Sequence, residues 1–166
     1  MTTVLVAYAS RMGATASIAG AIVDELRSCG VVADLVDADD ASATDGYDAV
    51  VLGSAVYVGR WRRSAVDLLR GLVRTGYPRR VWLFHSGPTG IDAPRISTPL
   101  PRKVALLADR LGAAPARTFP GRLEPDTAAG FLARRLAEHE KVGDYRDFRK
   151  VRVWARGIAL SVTVAS

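Results

Sequence analysis

Thr3-Val-Leu-Val-Ala-Tyr-Ala-Ser-Arg-Met-Gly-Ala-Thr15 opens the chain and decides how the rest is read. Val4 to Tyr8 is apolar throughout and rich in β-formers, which marks a strand covered on both faces. Ser10 to Gly13 breaks that pattern. From Thr15 the apolar positions Ile18, Ala19, Ile22, Val23 and Leu26 recur at helical spacing until Gly30 closes the helix. A buried strand that turns through a short loop into a helix brings backbone N–H groups and the positive end of the helix dipole to one point. An anion such as phosphate suits that point. Gly13 allows close backbone approach, and Ser10 and Thr15 place hydroxyls at the two ends of the loop, although Thr15 could equally be a plain N-cap. The loop has neither the Gly-x-Gly-x-x-Gly of dinucleotide sites nor the Gly-x-x-x-x-Gly-Lys-Ser/Thr of nucleoside triphosphate sites. A monophosphate is the expected ligand group.

Outward from this unit, strands and helices alternate. Val31 to Val36 predicts a second strand, Ala49 to Leu52 a third, Arg80 to Phe84 a fourth and Ala114 to Phe119 a fifth. Helical stripes run through Ala65, Leu68, Leu69, Leu72 and Val73, and near Val104–Leu111. Two more helices are expected near Thr127–His139 and from about Tyr145 to Val162. Five alternations imply an α/β fold: a parallel sheet with helices on both faces and right-handed crossovers, forming one domain over residues 1–166. Sheets of this type bind ligands at the carboxyl ends of their strands, beside the topological switch point. Two further loops fall at that edge. The one after the third strand carries Tyr57, Gly59, Arg60 and Trp61, on which a flat heterocycle could stack, or in which Trp61 could simply roof the next helix. The one after the fourth strand, Ser86-Gly-Pro-Thr-Gly90, offers N–H and C=O groups to the polar edge of a ring system, or is only a turn.

The totals bound the function classes. Cys29 is the one cysteine, so no intrachain disulfide framework or thiolate cluster can form, and a reduced, cytoplasmic setting is expected. No apolar stretch reaches the ~18 residues of a membrane span, and the opening run has no basic lead or cleavage-like site. The net charge of +6 is unevenly placed: eight acidic and two basic side chains precede Arg60, and nine acidic and twenty-one basic follow from it. Such asymmetry suits an anionic partner or peripheral contact with a membrane surface, or reflects solvated faces. Nucleic acid is not expected, because no basic stretch is interleaved with aromatics for base stacking. His139 sits among charges at a helix end, the carboxylates are scattered and neither HExxH nor CxxC occurs, so no metal site is expected. Gly-x-Ser-x-Gly is absent, which argues against a hydrolase.

With these loops in view the chain resembles the flavodoxin superfamily. More closely, it resembles the flavodoxin-domain branch that includes menaquinone-dependent protoporphyrinogen oxidase. The matching stretches are Tyr8–Thr15, Tyr47–Trp61, Val81–Pro88 and the tail Gly143–Phe148 with Trp154-Ala-Arg156. The resemblance implies a five-stranded sheet of order 2-1-3-4-5 and non-covalent flavin mononucleotide (FMN). It implies that Ser10, Arg11, Met12, Gly13, Ala14 and Thr15 surround the phosphate. Ser54, Ala55, Val56, Tyr57, Gly59, Arg60 and Trp61, with Ser86, Gly87, Pro88, Thr89 and Gly90, would flank the isoalloxazine. Met12 and Ala14 stand where flavodoxins commonly carry Thr and Asn, which shifts phosphate binding toward backbone N–H groups and Arg11. The oxidase branch also carries a long basic insertion where Gly121 to Val142 is short and mostly polar.

A flavin does its redox chemistry itself, so no catalytic side chain is singled out; His85 is either a proton shuttle or a hydrogen-bonded loop residue. Shuttle flavodoxins are generally acidic, whereas this chain is basic. That favours an oxidoreductase acting on an anionic or membrane-associated substrate, with quinone or porphyrinogen as possibilities. The alternatives are an electron carrier docking on a redox partner and a flavin-free interaction module.

Overall fold

The apolar runs become parallel strands, and their alternation sorts side chains onto two faces. The computed structural model describes residues 1–41, 44–76, 80–87, 92, 95–123 and 143–164. In chain order the elements are β1 (Thr3–Ala9), α1 (Ala14–Ser28), β2 (Val32–Asp37), β3 (Ala49–Tyr57), β4 (Arg60–Trp61) and α2 (Arg63–Thr75). They continue with β5 (Val81–Ser86), α3 (Arg102–Leu111), β6 (Arg117–Phe119), β7 (Arg122–Leu123), β8 (Gly143–Asp144) and α4 (Phe148–Val164). The main sheet runs β2-β1-β3-β5-β6 with every neighbour parallel, and β4 pairs antiparallel with the end of β3. Counted over the parallel strands alone, this is the expected 2-1-3-4-5 order. The chain leaves β1 toward β2 on one side and returns to β3 on the other, so the switch point lies between β1 and β3.

Val4, Val6, Ala49, Val51 and Phe84 point to one face, where Ile18, Ile22 and Leu26 of α1 and Val151, Ala155 and Ile158 of α4 cover them. Leu5, Ala7, Val50, Leu52 and Leu83 point to the other, under Ala65, Leu69 and Leu72 of α2 and Val104 and Ala108 of α3. Each fully buried Leu or Ile contributes roughly 1.5–3 kcal/mol through the water it sheds. Phe84 takes its place because its register partner is Gly53; a Cβ there would sit 2.0 Å from the ring's Cζ. The vacated space lets Phe84 meet Phe119 and Trp154 edge-on, with ring centroids 6.0 and 5.9 Å away, and those two rings meet each other at 5.6 Å.

Several boundaries differ from the sequence expectation, and the fourth strand runs on to Ser86 rather than stopping at Phe84. The third strand does not stop at Leu52: it continues to Tyr57 because Val56 and Tyr57 pair back with Trp61 and Arg60, so the expected loop is mostly a hairpin. The fifth strand is shorter, because Ala114 gives one bond to the Val81 carbonyl and Pro115, lacking an N–H, cannot extend the ladder. The last helix begins at Phe148 rather than near Tyr145, since Gly143–Asp144 pair with Arg122–Leu123 instead. The helix expected near Thr127–His139 lies outside the described residues. Among the described residues, no helix is long and apolar enough to cross a membrane.

Candidate functional site

The loop leaving β1 is shaped by Gly13, which caps α1 with φ 84° and ψ −11°, a left-handed conformation that L side chains rarely adopt. Its N–H donates to Ser10 Oγ at 3.0 Å, and its carbonyl accepts the N–H of Ser17, also at 3.0 Å. The amides of Ala14, Thr15 and Ala16 therefore precede the helical ladder, and no acidic residue lies in the first turn to compete for them. A Cβ built on Gly13 would meet nothing within 4 Å, so the space over the loop is open. Arg11 is exposed beside it, and Met12 and Ser10 are half-buried.

Several side chains read as ligand donors instead tie the loops together. Thr15 is wholly buried, and its Oγ1 lies 2.6 Å from Ser86 Oγ, joining the start of α1 to the end of β5. Ser54 is also wholly buried; its hydroxyl donates to the Ala55 carbonyl and accepts the Arg62 N–H at 3.0 Å. Trp61 is 6% exposed and packs among Leu52, Ala65 and Leu69. Alternation along the two-residue β4 turns its indole inward while Arg60 stays exposed. It is the buried anchor of the hairpin and the roof over the start of α2. Any ligand contact from Thr15, Ser54 or Ser86 must use backbone atoms or follow rearrangement of these bonds.

Tyr57 is the half-buried aromatic of this edge. Burial pushes its phenol pKa up, while the neighbouring Arg62 and Arg11 guanidiniums pull it down, which brings the first loop and the hairpin within electrostatic reach of one another. Just past the hairpin, Arg62 Nε and Ser64 Oγ are buried side-chain atoms with no hydrogen-bond partner among the described residues. Gly87 closes the third side: a Cβ there would lie 3.3 Å from Val56 Cβ, and one on Gly121 would lie 3.6 Å from the Gly87 nitrogen. Pro88, Thr89 and Gly90, expected to complete this wall, lie outside the described residues.

Sequence reasoning missed two contributors. Gly121 opens the region read as short where the oxidase branch carries its insertion, yet it lies against Gly87, with a Cβ there 3.6 Å from the Gly87 nitrogen. Arg146 lies in the tail motif, to which no role was attached. Its guanidinium pairs with Asp144, donates to Ser17 Oγ in the first turns of α1 and lies 5.1 Å over the Phe148 ring. The Arg146 hydrogen bond to Asp144 holds that carboxyl below its usual range, so the pair is charged at neutral pH. The signal in the sequence was Asp144-Tyr-Arg146 before a helix start; what it pairs with is set only by the fold.

His85 is a strand residue, not a loop residue, and is wholly buried. Its Nδ1 lies 3.2 Å from Trp61 Nε1, and its Nε2 lies 3.0 Å from the Thr98 carbonyl and 2.9 Å from Thr118 Oγ1. Burial holds its pKa below 6.5, against a smaller opposing pull from the Thr98 carbonyl. Two clefts of about 590 and 910 Å3 lie elsewhere, one against α2 with Asp39, Asp67 and Arg74 and one between β6 and α4. Neither is lined by the loop leaving β1.

The sequence matches the flavodoxin domain family over residues 5–124, which spans β1 to β7 and all three loops. The chain belongs to the flavodoxin-domain family. Solved structures agree on the fold. This flavodoxin-domain protein is similar to flavodoxin 2 from Bacillus cereus, with 20% identity, a TM-score of 0.62, and 96% of this chain and 98% of that chain covered. It is similar to rubredoxin oxygen:oxidoreductase from Desulfovibrio gigas at 14% identity and a TM-score of 0.67, covering 99% of this chain but 37% of that one. The Flv1 flavodiiron core from Synechocystis gives 14% identity, a TM-score of 0.69, and 99% and 37% coverage. The chain thus spans little more than a third of the length of these two proteins. A search of curated proteins finds no match.

Proposed function

We propose that this flavodoxin-domain protein binds one FMN at the edge between β1, β3 and β5 and acts as an oxidoreductase on an anionic partner. The observation that carries the reading is the opening of α1. Three backbone amides precede the ladder, Ser10 keeps a hydroxyl proton to donate, no carboxylate competes, and the space above Gly13 is open. That donor set fits a phosphate monoester. FMN would supply one- or two-electron transfer; the chain's own residues bind and orient it. In this reading the loop from Ser10 to Thr15 holds the phosphate, with Arg11 adding charge in place of the side-chain contacts that Met12 and Ala14 cannot make. Tyr57 and the backbone of Ser54, Ala55 and Val56 line one side of the ring. Gly87 and the Gly121 segment line the other, and Pro88, Thr89 and Gly90 are proposed to complete it. Arg60 and Arg62 set the charge of the rim.

The charge of the rim supports the enzyme reading over the carrier reading. Arg11 and Arg60 are exposed and Arg62 is half-buried at the same edge, where charge repels a basic docking partner and draws an anionic one. Porphyrinogen carboxylates fit that charge, in keeping with the oxidase branch that the Tyr47–Trp61 stretch and the tail resemble; a quinone is the acceptor that branch implies. A flavodoxin-type electron carrier is the second reading, supported by the fold neighbours that are themselves flavodoxins. Purification tests the proposal. A yellow protein whose flavin absorbance bleaches under dithionite, and which in an anaerobic screen is reduced by a porphyrinogen and reoxidised by a quinone, supports it. A colourless protein that ignores added FMN leaves the flavin-free interaction module.

A further inference from the structure

We propose that His85 is a positioning residue for the hairpin wall of this site, and that its protonation from solvent releases that wall. The identity of the wall as a flavin contact rests on the function proposed above; the latch itself does not. Indole Nε1–H can only donate, so His85 Nδ1 must accept, and the proton of the neutral ring sits on Nε2. Nε2–H then donates to the Thr98 carbonyl at 3.0 Å and Thr118 Oγ1 at 2.9 Å, while that hydroxyl receives the Thr98 N–H at 3.1 Å and gives its own proton to the Thr98 carbonyl at 3.3 Å. The neutral ring satisfies every polar atom in this buried cluster. A second proton, taken from water onto Nδ1, would set two N–H donors against each other across 3.2 Å and bury a charge.

Nothing nearby offsets that charge among the described residues. The strand partner in register, Ser54, is uncharged. The elements packed around the ring carry mostly cations: Arg60 and Arg62 beside Trp61, Arg95 ahead of Thr98, Arg117 beside Thr118, and Arg102 and Lys103 at the start of α3. On α2, Arg63, Asp67, Arg70 and Arg74 are all on the outer side of the helix, and Asp67 is already paired with Arg63 and Arg70; Asp109 and Arg110 of α3 are exposed too. The hairpin is poised to respond. Its two pairs, Val56 with Trp61 and Tyr57 with Arg60, close through Val58 at φ 48° and Gly59 at φ 68°. Val58 is a β-branched residue in left-handed conformation and 80% exposed, so the tip stores strain that burial of Trp61 must hold down. Freeing the indole frees Tyr57.

The sign follows from the depressed pKa. The latch is fully formed above the unfolded value of about 6.5 and is lost as pH falls below it through the folded value. Two measurements test it. In the apoprotein, the Trp61 indole N–H resonance, assigned with Trp61→Phe, should shift between pH 8 and pH 5 together with the His85 ring. In His85→Asn, where the amide oxygen replaces Nδ1 as acceptor without titrating, it should stay put. FMN affinity should fall at least tenfold more in the wild type than in His85→Asn over the same range; the comparison cancels titration of the FMN phosphate itself. An indole resonance that does not move while pH falls to 5, or identical pH profiles for the two proteins, overturns the latch. Failure to bind FMN with a shifting indole sinks the flavin reading and leaves the latch standing. Should His85→Asn fail to fold, the wild-type indole titration decides alone.

Discussion

At the scale of single residues, two backbone conformations carry opposite consequences. Gly13, at φ 84°, borders open space at the start of α1, where an added Cβ would meet nothing within 4 Å. A β-branched side chain there both strains the backbone and fills that space. Gly13→Val should therefore weaken FMN binding by more than tenfold, an effect of about 1.4 kcal/mol or more in binding free energy. Circular dichroism should still show a folded protein. Val58, at φ 48°, makes the reverse case: it is an exposed residue in a conformation that Asn tolerates and Val does not. Val58→Asn should raise unfolding stability by about 1 kcal/mol, read as a higher denaturant midpoint at unchanged slope.

At the scale of elements, the site is held together by hydroxyls that bridge loops. The Thr15–Ser86 contact joins the start of α1, the proposed phosphate site, to the end of β5, the proposed edge of the ring site. A double-mutant cycle with Thr15→Val and Ser86→Ala should return a coupling of about 0.5–1.5 kcal/mol, the net worth of one buried hydrogen bond. Strict additivity would show that the two loops are held independently. Here the sequence was readable to different depths. Buried parallel strands and their helices were legible because apolar runs and 3.6-residue stripes report burial directly, so β1, α1 and the sheet order came out as expected. The hairpin at Tyr57–Trp61 was not legible as pairing: Val58-Gly59 lacks the Asn-Gly or Asp-Gly signal of a two-residue turn, and only the fold supplies the anchor that tolerates Val there. Thr15 and Trp61 were recognised as site residues by type, but whether a hydroxyl or an indole faces outward depends on partners many residues away. Ser86, His85, Thr98 and Thr118 cannot be paired by spacing alone. Arg146 reaches Ser17 across 129 positions for the same reason.

At the scale of the molecule, charge and fold make separate statements. In the proposed function the doubly wound sheet would set where a ligand sits, at the edge where the loops after β1, β3 and β5 meet, and the Arg-rich second part of the chain would set which partner approaches. Binding to the folded state alone must also stabilise it: FMN at a hundredfold excess over its Kd should add about 2.7 kcal/mol and raise Tm accordingly. The phosphate contact at the opening of α1 is the claim on which the rest depends, and comparing FMN with riboflavin isolates it, since the two differ only in that group. Quenching of flavin fluorescence on titration with apoprotein should give FMN at least a hundredfold tighter binding than riboflavin. It should also show that advantage shrinking in Gly13→Val. Equal affinities for the two flavins would mean that the loop from Ser10 to Thr15 holds no phosphate, and would contradict the account.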